Sequence, residues 1–387
     1  MDDRAFYADF PQAEYAQRWE RARQLMRAQG IDALLVTEER NYIYFTGHRS
    51  QQNPIDKIRP YLFILPLAGR PVAIVMPFEE GFVRQATWIE DVRTYSLFQH
   101  NEVLAATLTE LGLANARIGA ELGREQYLEL SYNDFLDLQR RLPRAKFVDA
   151  AELLLALRVV KSPAEVPLCR TACEMTARAM ERTFPALKEG MTEREVARIL
   201  RTNLMDEGAE AITFLAIASG TDFSRGKISC ATDRRLQKGD TLTVDTGIEV
   251  KGYCSDVTRM AIVGSPSRQQ LDMYRTMLEV QRKCFAALRP GNRAEDAMKV
   301  CLEELGRRNM QTQKVGRIGH GVGLESTEYP SLALGESIVL EPGMIFACNP
   351  NYVTSFGFFN SEENLVITPT GNGILSKPEA RDEVFVI

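Results

Sequence analysis

The sequence predicts an α/β (α+β) protein with two domains, of which the second is built from a duplicated unit. Helical and strand-like hydrophobic patterns alternate through residues 1–160. A Lys-Ser-Pro run at residues 161–163 then precedes a long helical pattern, and the segment 187–200 has a counterpart at 288–301. Because 387 residues are enough for two hydrophobic cores, we expect domains at residues 1–160 and 161–387.

The first domain is expected to be a mixed sheet covered by helices. Residues 12–29 place Tyr15, Trp19 and Met26 on one helical stripe. Short apolar runs bounded by turn residues follow, and two later segments have helical spacing. The predicted strands are 31–36, 61–66, 71–76, 92–97, 116–122 and 146–148, and the predicted helices are 12–29, 102–111 and 132–142.

The second domain is expected to begin with a helix over about 164–186, because Ser162 can cap a helix and Pro163 suits its first turn. An internal sequence repeat follows this helix. Leu187–Leu200 aligns with Leu288–Cys301, with a glycine loop before a short helix in each copy. Two such units facing each other would leave a cleft between them, which is a natural place for a functional site.

The composition of the chain argues against some classes of binding partner. The net charge of −5, without a long run of one sign, argues against nucleic acid or an anionic membrane as a partner. There is no apolar run of about 18 residues, and the first ten residues are acidic rather than apolar. Seven cysteines without a CxxC pair favour reduced thiols. We therefore expect a cytoplasmic protein with no membrane span and no nucleic-acid partner.

Asp245 and Asp256 lie eleven positions apart on either side of a turn-prone stretch. In a two-residue hairpin centred between Val250 and Lys251 they would face each other, with Cβ atoms about 4.5–5.5 Å apart. Two buried carboxylates at that distance need a proton or a cation between them. The pattern indicates a divalent metal, although two separate surface aspartates near a turn would have the same spacing.

Later segments add possible ligands. His320 is the one histidine of the second domain, and the Gly-His-Gly-x-Gly-Leu run at 319–324 lets the backbone pass close to a cluster. It could also be a core histidine with all its hydrogen bonds made. Asn349 and Glu362 lie thirteen apart around a second turn, and an odd spacing across a hairpin allows a shared face. Glu363 has the opposite pleat direction and is expected to be solvated.

The order of these segments resembles the pita-bread metallopeptidases, the family of methionine aminopeptidase, aminopeptidase P, prolidase and creatinase. The resemblance covers roughly residues 164–375 and includes the Glu-Pro-Gly-Met run at 341–344. Residues 1–160 resemble the additional N-terminal domain of prolidase, aminopeptidase P and creatinase. The fold that this implies is a creatinase-like α/β domain followed by a duplicated pita-bread catalytic domain.

The resemblance also implies a metal centre. It makes Asp245 and Asp256 the bidentate and bridging aspartate ligands, His320 the histidine ligand and Glu362 the bridging glutamate. The remaining ligand position is Asn349, where the family usually has a glutamate. One divalent ion, or one tight and one weak, is therefore expected, and Mn, Fe, Co and Zn all suit these ligands.

Two histidines that the family's peptidases use without binding metal are absent. The stretch that matches the first contains Lys227, and the position that matches the second is Thr327. We assign catalytic roles to Glu328, Lys227, Thr327 and Arg259, with Glu325 as a further candidate for proton transfer.

Two further residues have open roles. Arg259 could pair with a ligand carboxylate, hold a substrate carboxylate, or form a structural ion pair. Related enzymes form homodimers in which the N-terminal domain overhangs the partner's cleft. His48 would then reach substrate or lie at a surface or interface, and we expect a homodimer here.

Three functions follow from these observations. The first is a metal-dependent hydrolase that cleaves a C–N amide bond in a small or dipeptide-like substrate, like an Xaa-Pro dipeptidase or aminopeptidase P. The second is a non-peptidase enzyme acting on a small nitrogenous or sulfonium compound, as creatinase, ectoine hydrolase and the dimethylsulfoniopropionate lyases do on this fold. The third is a catalytically inactive binding module, which the retained buried carboxylates argue against.

Overall fold

The computed structural model describes residues 6–50, 58–221, 230–310, 316–380 and 382–387. The chain divides into two compact units, Met1–Arg158 and Val159–Ile387. This division lies two residues before the boundary that the sequence suggests. Both units combine helices with strands, which confirms the predicted α/β class.

The first unit contains a mixed sheet with helices between its strands. Its elements are α1 (Gln12–Gln29), β1 (Ala33–Val36), α2 (Glu39–Thr46), β2 (Leu62–Pro66), β3 (Val72–Val75), α3 (Pro77–Ala86), β4 (Asp91–Thr94), α4 (His100–Glu110), β5 (Arg117–Ala120), α5 (Tyr132–Arg141), β6 (Lys146–Asp149) and α6 (Ala151–Val159). The strand order is β4-β3-β2-β1-β5-β6, antiparallel in β1–β2 and β2–β3 and parallel elsewhere. The predicted strands and helices are present, with ends shifted by a few residues.

The helices α2, α3 and α6 were not predicted. Helix α2 begins where the Glu38 carboxylate accepts the N–H groups of Arg40 and Asn41, and its residues from Asn41 to Thr46 are all buried. Helix α6 is also buried on most sides. A helix without a polar face shows no amphipathic stripe, so its sequence has no helical periodicity to detect.

The second unit is built from two sheets and the helices that cover them. Its elements are α7 (Val166–Thr183), a 3₁₀ turn (Phe184–Ala186), α8 (Glu193–Asp206), β7 (Ala211–Gly220), β8 (Thr241–Val250), β9 (Tyr253–Cys254), β10 (Val257–Ile262), α9 (Arg268–Ala287), α10 (Ala294–Arg307), β11 (Gly319–Gly321), β12 (Glu328–Ser331), β13 (Ile345–Cys348), β14 (Asn351–Thr354), β15 (Gly357–Asn360), β16 (Glu363–Thr368), β17 (Gly371–Ile374) and β18 (Phe385–Val386). Among the described strands the sheet orders are β18-β10-β8-β7, with β9 on β8, and β12-β11-β13-β16-β17, while β14 and β15 form a hairpin.

Helix α7 begins at Val166, two residues later than expected. Ser162 N–H donates to Glu165 Oε2 at 2.7 Å, and Glu165 N–H donates to Ser162 Oγ at 3.3 Å. These reciprocal bonds form a capping box around a separate turn that precedes the helix. Pro167, rather than Pro163, therefore lies in the first turn of α7.

Equivalent hydrogen bonds confirm the internal repeat. Gly190 N–H donates to Leu236 O at 2.9 Å, and Gly291 N–H donates to Leu340 O at 3.0 Å. Both glycines have positive φ, 84° and 88°, which a side chain would disfavour. The short helices α8 and α10 follow these two loops in the same way.

The repeat continues into the strands. Gly239 N–H donates to Val263 O at 2.8 Å, and its equivalent Gly343 donates to Ile367 O at 2.9 Å. Each half also has an apolar core, formed by α7, α8, β7, β8 and β10 in the first half and by α9, α10, β13 and β16 in the second, which Met260 and Ile262 of β10 also join. None of the helices in the described ranges is long and apolar enough to cross a bilayer.

Candidate metal centre

The β8–β9 hairpin sets the position of Asp245. Its two-residue turn is Lys251-Gly252, with φ of 50° and 83°, as in a type I′ turn. Val250 pairs with Tyr253, so the hairpin is centred between Lys251 and Gly252. The predicted centre, between Val250 and Lys251, is one residue too early.

The shifted register changes the residue opposite Asp245. Asp245 pairs with Thr258, so the prediction that it lies directly opposite Asp256 is wrong. Asp256 lies two residues before Thr258, and side chains two apart on a strand share a face. The two aspartate carboxyl groups are accordingly close enough to shift each other's pKa.

Asp256 lies in a gap between β9 and β10, where its backbone is held by a side chain. Asp256 N–H donates to Asn364 Oδ1 at 3.0 Å, and Asn364 Nδ2 donates to Asp256 O at 2.5 Å. Asn364 is fully buried and also accepts a hydrogen bond from Cys173 Sγ at 2.9 Å. The Asn364 side chain thus makes the hydrogen bonds that a neighbouring strand would otherwise make to the backbone of Asp256. The sequence did not suggest this role.

Glu362 joins the two halves of the unit. Its N–H donates to Thr258 O at 3.2 Å, and Thr258 Oγ1 donates to its Oε2 at 2.8 Å. Cys348 pairs with Glu363, and Asn351 pairs with Asn360. Asn349 and Glu362 therefore lie in matching register between these pairs, as predicted, and the Asn349 side chain is near enough to lower the pKa of Glu362.

The internal repeat relates several of these residues. A separation of 104 residues connects the equivalent positions Leu236 and Leu340, and the same separation connects Asp245 with Asn349 and Thr258 with Glu362. Thr258 and Glu362 also form a β-bridge with each other. The approximate two-fold axis that relates the two halves therefore passes close to Thr258 and Glu362. The carboxylates do not follow this symmetry, because Asn349 is the equivalent of Asp245 and Thr258 is the equivalent of Glu362.

His320 reaches the same cluster from β11. Its Nε2 lies 3.4 Å from Asp256 Oδ2, and its Nδ1 lies 3.1 Å from Gly321 O. If Nδ1 carries the proton and donates to that carbonyl, the Nε2 lone pair faces the carboxylate. The neighbouring glycines permit this approach, because a Cβ at Gly319 would lie 2.2 Å from Ala347 O.

The arrangement has the donor atoms that a divalent cation requires. Ligand atoms of Asp256, His320 and Glu362 lie within 4.8 Å of one another. One oxygen of each carboxylate, Asp245 Oδ1, Asp256 Oδ1 and Glu362 Oε1, is buried without a hydrogen-bond partner in the described structure. Buried, unpartnered anions are costly, and a shared cation would remove that cost. The residues therefore fit a divalent ion.

Burial and mutual repulsion shift the proton affinities of this cluster. Burial raises the pKa of Asp245 to about 6. The pKa values of Asp256 and Glu362 lie well above their usual range, because of burial first and neighbouring carboxylates second. Burial, together with the charge of Arg317, lowers the pKa of His320 to about 4, so this imidazole is neutral near pH 7.

Thr327, one of the residues assigned catalytic roles, lies beside the cluster. Its Oγ1 lies 3.5 Å from His320 Nε2, and the residue is exposed. Glu328 is buried and its Oε1 accepts a hydrogen bond from Lys161 Nζ at 2.5 Å, an ion pair that the sequence did not suggest. Lys227 lies outside the described residues.

Arg259 is a structural residue. It is buried, and its guanidinium donates to Thr258 O, Glu362 O, Glu363 Oε2 and Pro378 O at 2.9–3.0 Å. It thereby supports the backbone at Glu362 and has no donor directed at a substrate. Glu363 is buried in this ion pair, so the expectation that it is solvated is wrong.

His48 is buried within the first unit rather than at a surface. Its Nε2 lies 3.2 Å from Glu79 Oε2, and Glu79 also accepts hydrogen bonds from Ser50 and Tyr61. Its exposed fraction of 1% leaves it without access to a substrate in this chain.

Two family models match the chain. The model described as metallopeptidase family M24 matches residues 167–369, and the model described as creatinase/prolidase N-terminal domain matches residues 18–160. The first match contains the whole carboxylate and histidine cluster.

Similar proteins include two enzymes of Pyrococcus species and a solved structure. An Xaa-Pro dipeptidase of Pyrococcus horikoshii is 30% identical over 67% of this chain and 73% of its own length. An Xaa-Pro dipeptidase of Pyrococcus furiosus is 26% identical over 94% of this chain and 98% of its own. The crystal structure of a dipeptidase from Mycobacterium ulcerans has a TM-score of 0.84 and 26% identity, and the match covers 98% of this chain and 99% of that one.

Proposed function

The chain belongs to metallopeptidase family M24 and is a metal-dependent hydrolase, and we propose that it cleaves the amide bond to proline in dipeptide-like substrates. Relatives named Xaa-Pro dipeptidase, which match most of the chain, support this substrate class. The same relatives do not favour a non-peptidase enzyme or an inactive binding module.

The proposal depends most on the buried carboxylate oxygens without partners. Asp245, Asp256, His320 and Glu362 would hold the divalent ion, with the carbonyl oxygen of Asn349 as a neutral fifth donor. When bound, such an ion supplies Lewis acidity toward a carbonyl group and toward water. The donor set suits Mn, Fe, Co or Zn, and one tightly bound ion is the proposed stoichiometry.

Thr327 and Glu328 have different proposed roles beside the cluster. The exposed Thr327 hydroxyl can donate a hydrogen bond to the substrate amide, in the place where related peptidases have an imidazole. Glu328 is buried in its ion pair with Lys161, so we assign both residues to positioning β12. Lys227 remains a candidate for proton transfer.

We also propose a cytoplasmic homodimer with domains at residues 1–160 and 161–387. Sedimentation equilibrium at several concentrations tests the assembly, since a monomer at all of them would contradict it.

Reconstitution of the purified protein with Mn(II) and an assay with Ala-Pro test the proposed function. We expect Ala-Pro hydrolysis that a chelator abolishes. Asp256→Ala should lose both bound metal, measured by elemental analysis, and activity. Glu303→Ala, which removes an exposed carboxylate on α10, is the control and should keep both. If Asp256→Ala retains metal and activity, the proposed site is wrong.

A further inference from the structure

A buried ion pair lies beside the strand that carries His320. Lys161 Nζ donates to Glu328 Oε1 at 2.5 Å, and the exposed fractions of the two side chains are 2% and 5%. Removing two charges from water is costly, and an apolar pair of similar volume is often at least as stable. Stability alone therefore gives no reason for charges at these positions. A short bond between ionised groups does have a defined length and direction, so it can hold one segment in place relative to another.

The backbone of Lys161 is attached to one neighbour of β11. Lys161 N–H donates to Gly343 O at 3.0 Å, and Val160 forms a β-bridge with Met344. Met344 directly precedes β13, which pairs with one side of β11. The position of the Lys161 backbone is thus fixed relative to β13.

The side chain of Lys161 extends to the other neighbour of β11. Glu328 is the first residue of β12, which pairs with β11 on the side opposite to β13. One lysine therefore connects the two strands between which β11 lies. The connection passes at Gly323, where a Cβ would lie 2.7 Å from Lys161 Cε and 2.3 Å from Glu328 Oε1. The third glycine of the Gly-His-Gly-x-Gly run accordingly leaves the space in which the ion pair forms.

Strand β11 is short, and its pairing with β12 is irregular. It has three residues, two of them glycine, and the register with β12 shifts between His320 and Gly321. Glu328 pairs with Gly321 at this irregularity. Burial lowers the pKa of His320 to about 4, and Glu328 is near enough to act in the opposite direction. The bond between Lys161 and Glu328 is thus made where the ladder beside His320 is interrupted.

We propose that Lys161 is a positioning residue for the metal centre. By holding β12 at a fixed distance from the start of β13, it fixes β11 between them and with it the His320 imidazole. Without the ammonium, the buried Glu328 carboxylate loses its ion pair, so it moves toward water and takes β12 with it. This inference rests on the proposed function, in which His320 is a metal ligand, and it adds a residue that lies outside the ligand set.

Metal affinity tests the proposal. Lys161→Met keeps most of the side-chain length and removes the ammonium. We expect its Mn(II) Kd, measured by calorimetry, to be about 10- to 100-fold weaker, as for the loss of a residue that orients a metal ligand. Arg234→Met is the matched control, because Arg234 pairs with Asp240 in the same unit and neither residue belongs to the cluster. It should keep the wild-type Kd, whereas an unchanged Kd in Lys161→Met would overturn the proposal.

A double variant separates positioning from stability. Lys161→Met combined with Glu328→Leu replaces the ion pair by apolar groups and should be more stable than Lys161→Met alone, as chemical denaturation measures. It therefore keeps the test possible if the single variant does not fold. We expect its Mn(II) Kd to stay at least about tenfold weaker than that of the wild type, since packing does not replace a directional bond. A wild-type Kd in the double variant would show that the pair contributes only stability.

A measurement without metal separates this inference from the proposed function. If the wild type binds no Mn(II), the proposed centre fails, and the imidazole NMR signals of the metal-free protein then decide. The chain has three histidines, and the signal of His320 is the one that His320→Gln lacks. In the double variant, which has the net charge of the wild type, the His320 signal should shift and those of His48 and His100 should not. An unshifted His320 signal would contradict the positioning role.

Discussion

Asn349 brings a neutral oxygen to the position whose repeat equivalent, Asp245, brings a charge. Its side chain is near enough to Glu362, one of the carboxylates proposed as ligands, to lower the pKa of that group. The proposed centre therefore has three carboxylates and one imidazole, where the resemblance to the family implies four carboxylates and one imidazole. Because divalent ions are held mainly by anionic oxygen donors, the missing charge weakens one of two possible ion positions.

Asn349→Glu should therefore raise the metal content from about one to about two ions per chain. Elemental analysis after dialysis at a fixed Mn(II) concentration measures this. Asn349→Gln is the matched control, since it has the length of glutamate without the charge, and it should leave the metal content unchanged. Equal metal content in the glutamate and glutamine variants would mean that charge at this position does not control stoichiometry.

Asn364 should control metal affinity through the backbone of Asp256. Asn364→Leu removes both hydrogen bonds to that backbone, and we expect metal binding to weaken by about 10-fold or more together with a loss of stability of about 2–4 kcal/mol. Asn372→Leu is the control, because Asn372 also donates two hydrogen bonds to backbone carbonyls but does not contact the cluster. It should lose stability and keep its metal Kd, measured by calorimetry. Equal effects of both variants on Kd would exclude a positioning role.

The sequence predicted contacts between residues that lie in short motifs. It did not predict ion pairs between residues that are distant along the chain. Asp256, His320 and Glu362 meet as predicted, since each lies beside a turn or glycine run that limits where its strand can go. The partners of Arg259 and Lys161 were missed, because Glu363 and Glu328 lie more than a hundred residues away. Neither hydrophobic periodicity nor the spacing within a motif predicts such ion pairs.

Strand β11 leaves no room for a side chain at Gly319. A Cβ at Gly319 would lie 2.2 Å from Ala347 O and 2.7 Å from Leu332 Cδ1, so a methyl group there must push β13 or β12 away. The strand that carries His320 consequently depends on glycine for its position.

Gly319→Ala should lower the free energy of unfolding by about 2–3 kcal/mol through overpacking and should weaken metal binding, because His320 moves with the strand. Gly316→Ala is the control on the same segment, since a Cβ at Gly316 would have no neighbouring atom within 4 Å. Chemical denaturation and metal titration measure both effects. Wild-type stability in Gly319→Ala would show that the strands relax without cost.

The β8–β9 hairpin shows why register is harder to predict than the existence of a strand. The predicted centre placed Val250 and Lys251 in the turn, whereas Lys251 and Gly252 occupy it, both with positive φ. That shift was enough to replace Asp256 by Thr258 opposite Asp245. The shared face was still correct, because the predicted and observed partners lie two residues apart.

In the metal-free protein, the buried carboxyl groups should cost stability as the pH rises, while His320, whose lowered pKa acts in the opposite direction below pH 6.5, no longer contributes above that value. A carboxyl group whose pKa is raised by folding stabilises the protein below its unfolded value of about 4. That contribution is lost as the pH passes the folded value, which for Asp245 is about 6. The pKa values of Asp256 and Glu362 shift in the same direction, so the loss continues above pH 6.

Chelation should therefore lower the melting temperature more at pH 7.5 than at pH 5. Bound metal at about 100 times its Kd contributes about 2.7 kcal/mol, and at pH 5 protons already neutralise part of the cluster. Differential scanning fluorimetry with and without chelator measures the difference. Asp256→Asn should show a smaller effect of chelator at pH 7.5. The same effect at both pH values would contradict a proton-accepting cluster.

The two-domain architecture could be predicted because the repeat and the alternating patterns extend over many residues. The order of strands within each sheet could not, since the closing contacts of β18 with β10 and of β1 with β5 join distant segments. Helices buried on most sides were missed for a related reason, since their neighbours rather than their own periodicity stabilise them.

The division of the proposed ligands between the repeats has a consequence for folding. Asp245 and Asp256 come from the first repeat, and His320 and Glu362 come from the second, so neither repeat holds enough donors for a tight site. Metal affinity therefore depends on how closely the two halves pack against each other. A destabilising substitution in the core between α9 and α10, far from any ligand, should therefore weaken metal binding before it unfolds the helices. Loss of metal would then be the first measurable effect of a destabilising substitution in this unit.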